Sequence, residues 1–222
     1  HMKKNVVLIA ICFTAFWFPS CSKSSGLPYD PGVKLPEQKE VGPPSQKAAD
    51  LQAQAAILYF NLVTSHKEEE IPRVFALLDE AIKEDPQFQL AWMSKGNYLE
   101  NFKRYPEALQ AYTEAIRISP REANGYMAQA RLLNKMGDNK GSQKSLRYTL
   151  AALNLQLQSS PENPKILTSR AITLYLMSEK GLALKDFEEV LNKNPNLTNV
   201  KLLKQAIEST DLKDPWKLLE VL

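Results

Sequence analysis

Side chains able to do chemistry are few. Among 222 residues there are two histidines and two cysteines. His66 stands in SHKEEE close to Glu68, Glu69 and Glu70, a grouping that could gather a cation, but charges clustered in a polar stretch are more simply a solvated loop. Ser20 and Lys23 have a Ser-x-x-Lys spacing, which straddles an export cleavage point and is set aside. No H-E-x-x-H, G-x-G-x-x-G or P-loop pattern occurs. Asn196-Leu197-Thr198 is formally a glycosylation sequon, with Thr198 better read as the N-cap of a helix. The expectation is therefore a non-enzyme without metal or cofactor, and attention moves to the cysteines and to the elements around them.

His1, ahead of Met2, is set aside as a cloning remnant. Lys3 and Lys4 precede a thirteen-residue apolar run, Val6 to Phe18. That is shorter than the roughly 20 residues a spanning helix needs, so it reads as an export signal, with an uncleaved anchor as the alternative. The stretch Phe18-Pro19-Ser20-Cys21 resembles the lipobox of bacterial lipoproteins. The resemblance implies cleavage before Cys21, lipidation of its thiol and attachment to a membrane, and Ser22, in place of aspartate, implies the outer membrane over the inner. Once Cys12 leaves with the signal, Cys21 has no disulfide partner in the chain. Without Lys3 and Lys4 the charges are 26 basic against 25 acidic, a net of +1, which lacks the electrostatic footprint of a nucleic-acid binder.

Residues 21–44 carry Pro28, Pro31, Pro36, Pro43 and Pro44 with Gly26, Gly32 and Gly42. Such a stretch reads as a tether, about 25 to 30 Å long as a coil and about 70 Å in polyproline form. Beyond it, Pro86, Pro120, Pro161 and Pro195 recur at intervals of 34, 41 and 34 residues, the period of a helix-turn-helix repeat. The copy Gln89 to Pro120 resembles a tetratricopeptide repeat (TPR): Trp92, Gly96, Leu99, Tyr105, Ala108, Tyr112, Ala115 and Pro120 fall at that family's signature positions. Pro164 to Pro195 repeats the pattern with Ala171, Leu174, Ala183, Phe187 and Val190. The unit between them is seven residues longer, and Leu146, Leu150, Leu153 and Leu157 keep a helical spacing through it, so the extra length is assigned to the second helix. The resemblance implies an all-α, right-handed TPR-type solenoid of about four repeats (45–88, 89–122, 123–163 and 164–196) with a cap over 197–222, after a signal over 1–20. Trp92, Gly96, Ala108, Ala115, Ala171 and Ala183 are its packing positions.

In the TPR family the first helix of each repeat lines a concave groove. Carried onto this chain, the groove positions are Leu90, Met93, Asn97, Glu100 and Asn101; Asn124, Met127, Arg131, Asn134 and Lys135; and Lys165, Thr168, Ile172, Tyr175 and Leu176. Met93, Asn97, Met127, Arg131, Lys135, Ile172 and Tyr175 are taken as the centre. Methionines adapt to varied apolar groups and amides pair with backbone, so the mixture suits a peptide with apolar anchors and an acidic group. The implied function is a membrane-tethered interaction scaffold of the bacterial envelope, with a protein or peptide partner. Two alternatives remain open on the residues: a solvated face with no ligand, and a carrier whose groove or lengthened third unit holds an apolar small molecule.

Overall fold

The computed structural model describes residues 29–65, 68–209 and 215–217. The apolar run, Cys21 and His66 lie outside them. Every regular element among the described residues is helical: α1 (Gln46–Ser65), α2 (Ile71–Glu84), α3 (Gln89–Asn101), α4 (Tyr105–Ile118), α5 (Ala123–Lys135), α6 (Asn139–Ser159), α7 (Pro164–Leu176), α8 (Lys180–Lys193) and α9 (Thr198–Ser209). Each odd-numbered helix packs against the even one that follows, and each pair stacks on the next. The result is a TPR-type helical solenoid of four pairs with α9 against α8. The long third unit is explained by α6, which has 21 residues where α4 and α8 have 14.

Local chemistry sets the breaks between helices. Proline occupies the first turn of α2, α4 and α7, where its missing N–H would have had no intrahelical partner. Asp138 caps α6 by accepting the Gly141 amide at 2.8 Å, and Asn163 caps α7 through the Lys165 amide at 3.0 Å. The turn inside a pair is built the same way three times. After α3 the Arg104 amide donates to the Leu99 carbonyl at 2.8 Å and the Lys103 amide to that of Glu100 at 2.9 Å. Matching bonds run from Asp138 to Leu133 and from Glu179 to Leu174. This closure places one residue in the left-handed region, filled by Lys103 (φ 59), Gly137 (φ 82) and Ser178 (φ 68).

Two expectations about segments are revised. α9 begins at Thr198, so Leu197, whose carbonyl accepts the Lys201 amide at 3.1 Å, holds the cap position expected of Thr198. Residues 29–44 have no regular secondary structure, as their prolines require, yet they are not a free coil. The Tyr29 carbonyl accepts from Asn154 Nδ2 at 3.3 Å, Leu35 packs on Ala123, Ala152 and Leu153, and Gln38 Nε2 donates to the Ile118 carbonyl at 3.1 Å. The Ser45 amide then meets Asp85 Oδ2 at 3.1 Å. This strap runs from the third and fourth pairs back to the first.

Candidate functional site

The groove begins with a glycine. A Cβ on Gly96 would lie 2.5 Å from Tyr112 Cε1, so the bare backbone admits the Tyr112 ring between α3 and α4. That ring carries its hydroxyl to Glu100 Oε2 at 2.8 Å and to Asn97 Oδ1 at 2.8 Å. The Glu100 side chain is 3% exposed and also accepts from Arg131 Nη2 at 2.8 Å and Nε at 3.1 Å, and from Lys135 Nζ at 2.8 Å. Burial alone pushes the Glu100 carboxyl up. The hydrogen bonds from Arg131 and Lys135, the Arg131 charge and the Tyr112 hydroxyl outweigh it and hold the carboxyl at about 2. Burial and the neighbouring carboxylate push the Tyr112 hydroxyl well above the ordinary tyrosine range.

Two cations share one carboxylate, so the α3–α5 surface keeps a surplus positive charge. Arg131 and Lys135 are 39% and 46% exposed, close enough to water to meet a ligand. Beside them lies a hollow of about 420 Å³ lined by Gln89, Leu90, Met93, Asn97, Glu122, Asn124, Met127, Ala128 and Arg131. A second, apolar hollow of about 230 Å³ lies between α5, α6 and α7, lined by Ala123, Asn124, Met127, Thr149, Leu153, Ser169 and Ile172. Asn124 and Met127 belong to both, so the two form one trough.

Of the residues taken as the groove centre, Met93, Asn97, Met127, Arg131 and Ile172 line this trough, while Lys135 reaches Glu100 without lining either hollow. Tyr175 is placed differently. It is 5% exposed and lies in the core cluster of Phe187, Val200 and Ile207, because α9 covers the end of the last pair. Ala108, Ala115, Ala171 and Ala183 are fully buried, and Gly96 is buried against Tyr112. Trp92 is half-buried, its Nε1 donating to the Pro86 carbonyl at 3.2 Å and its ring lying 5.8 Å from Lys95 Nζ. No group of three or more His, Cys, Asp or Glu among the described residues is arranged to hold a metal.

Sequence reasoning put Glu100 on the groove face but not in its role as a buried counter-ion. A usable signal was present: Arg131 and Lys135 stand four residues apart on α5, about one repeat after an acid on α3. The buried bidentate pair of the fourth unit was also missed, with Arg170 Nε and Nη2 donating to Asp186 at 2.7 Å each.

Residues 76–123, from α2 to the start of α5, match the family model described as tetratricopeptide repeat. That segment carries tetratricopeptide-repeat sequence. Two similar curated proteins are Hsp70-Hsp90 organizing protein 1 of Glycine max, 29% identical over 112 residues, and Hsp70-Hsp90 organizing protein 2 of Arabidopsis thaliana, 24% identical over 167 residues. These alignments cover 50% and 70% of this chain but only 18% and 28% of the relatives, so the TPR chain corresponds to a fraction of their length. Among solved structures, YrrB, a TPR protein with an unusual peptide-binding site, is 18% identical with a TM-score of 0.44, covering 78% of this chain and 83% of that one. PilW, a type IV pilus biogenesis factor, is 17% identical with a TM-score of 0.41, covering 79% and 86%.

Proposed function

We propose that this TPR solenoid is a non-enzymatic peptide-binding scaffold, tied to a membrane of the bacterial envelope through lipid on Cys21. The observation that carries the binding half is the trough: two hollows sharing Asn124 and Met127, with Arg131 and Lys135 in surplus over Glu100 at one end. An extended peptide would set an acidic group toward the cations and an apolar side chain into the hollow of Met127, Leu153 and Ile172, while Asn124 and Asn97 pair with its backbone. The apolar hollow, about 230 Å³, is smaller than the roughly 300 to 1,000 Å³ of small-molecule pockets, which favours a side chain over a carried lipid. The tethering half is supported by the apolar run of Val6 to Phe18 and the Ser20-Cys21 junction. Among the described residues no helix is long and apolar enough to cross a membrane. Ser22 favours the outer membrane.

The test must spare the fold. Changing Arg131 or Tyr175 would strip Glu100 of a partner or hollow the last pair, so the better probes are the exposed Leu90 and Asn124. A photocrosslinker at Asn124 should capture a protein in cells that one at the exposed Gln110 does not. A peptide from that protein should bind the full chain, and Leu90→Asp with Asn124→Arg should weaken it at least tenfold with helicity intact. Equal capture from both positions, or undiminished binding by the double variant, would move the site off the trough. Loss of fatty-acid label on Cys21→Ala checks the tether separately.

A further inference from the structure

The outer surface of α6 carries a pattern that the trough does not use. Lys140, Lys144, Arg147, Ala151 and Asn154 stand at steps of four, three, four and three residues, which is one stripe of a helix. It lies opposite the buried row of Ser142, Ser145, Leu146, Thr149, Leu150 and Leu153. Lys140, Lys144 and Arg147 are exposed, α6 contains no Asp or Glu, and none of the three cations pairs with a described residue. The stripe belongs to a wider imbalance: residues 139–209 hold ten basic and six acidic side chains, while residues 45–138 hold eleven and thirteen.

The second observation is where the strap starts. Asn154, the last residue of the stripe, holds the Tyr29 carbonyl at 3.3 Å. Seven residues of α6 separate Arg147 from Asn154, about 10 Å along the helix. Eight backbone steps separate Tyr29 from Cys21 and reach at most about 29 Å. A lipid on Cys21 therefore holds the basic stripe within a short chain length of the bilayer, while α1, two stacked pairs away from α6 at roughly 10 Å per step, stands farther off.

We propose that the α6 stripe is a docking surface for anionic lipid headgroups, which turns the third and fourth pairs toward the membrane and leaves the first pair distal. The orientation rests on the tether reading of Cys21; the headgroup contact does not. Surplus cations near an anionic bilayer add about fivefold each to partition, so three add roughly a hundredfold at physiological salt. Salt would erode the effect, because the side chains remain exposed.

The experiment uses the mature chain, residues 21–222, with Cys21→Ser, so that neither a lipid nor the apolar run Val6 to Phe18 contributes. Co-sedimentation with vesicles of phosphatidylcholine alone is compared with vesicles containing a third phosphatidylglycerol. The expected result is a clear preference for the anionic vesicles, lost by roughly a hundredfold or more in Lys140→Glu/Lys144→Glu/Arg147→Glu. The control Lys83→Glu/Arg117→Glu/Arg121→Glu makes the same charge change on exposed residues of the first half and should keep most of the preference. Glu at the first turn of α6 suits the helix dipole, so circular dichroism and the melting midpoint of the α6 variant should stay near wild type. Equal losses in both triple variants, or no anionic preference in the parent, would overturn the proposal. So would polyglutamate competing as well as the vesicles, which would make the occupant an acidic protein. Fatty-acid labelling of the native chain in cells reads the tether independently, so failure there leaves the vesicle result standing.

Discussion

Replacing Glu100 by Gln isolates the charge at the floor of the trough while keeping its shape. The Tyr112 hydroxyl can still donate to the amide oxygen, but Arg131 and Lys135 lose the negative charge they share. A carboxyl held at about 2 in place of 4.5 corresponds to about 3 kcal/mol in favour of the ionised folded state. Arg131 and Lys135 are 39% and 46% exposed, and water screens them, so the measured loss should be about 2 kcal/mol at pH 7. The pH dependence follows from the depressed value. The stabilisation is complete above about 4.5 and is lost as pH falls toward 2, so at pH 3 less than half should remain, about 1 kcal/mol. Urea melts of the full chain and of Glu100→Gln at pH 7, 4.5 and 3 read both quantities. A difference that stays constant down to pH 3, or one below about 0.5 kcal/mol at pH 7, would refute the account of Glu100 as the ionised counter-ion of both cations.

Three other substitutions test the packing that positions the trough. Gly96→Ala places a Cβ 2.5 Å from the Tyr112 ring and should cost about 1 to 3 kcal/mol in denaturant melts. Asp186→Ala leaves Arg170, whose side chain is 10% exposed, buried without its partner, and should cost about 3 to 5 kcal/mol by the same measurement. Lys103→Gly removes the left-handed strain at φ 59 on an exposed turn residue and should raise the thermal midpoint, by an amount equivalent to about 0.5 to 1 kcal/mol.

What was legible in the sequence follows from what repeats. The prolines at intervals of 34 and 41 mark where helices must stop, and the small residues mark where they approach, so the pairs could be read without contacts. Gly96 was legible as a close approach but not as the opening that lets Tyr112 reach Glu100, because that bond depends on the depth of one ring. Glu100 and Tyr175 show the limit on the groove face. Sequence position fixes the side of the helix, while exposure depends on what stacks next: α5 brings two cations over Glu100, and α9 closes over Tyr175. The strap was illegible for a different reason. Pro and Gly composition reports that a segment has no ladder or helix of its own, and is silent on whether its side chains find seats elsewhere.

Those seats explain the one irregular interval. A 14-residue α6, the length of α4 and α8, would end at Ala152. The extra residues supply Leu153, against which Leu35 packs, Asn154, which holds the Tyr29 carbonyl, and Leu157, in the cluster that Tyr29 joins. Seven residues are almost two full turns, 1.94 at 3.6 residues per turn. The extension therefore adds about 10 Å of helix while returning its faces to nearly the same directions, so the α5–α6 packing continues unrotated and the outer stripe runs on from Arg147 to Asn154. An extension of five residues would still have supplied Leu153 and Asn154 but would have turned the helix's exit toward α7 by about 140°. The 41-residue unit thus keeps the solenoid in register and builds the landing site of the N-terminal strap from the same seven residues.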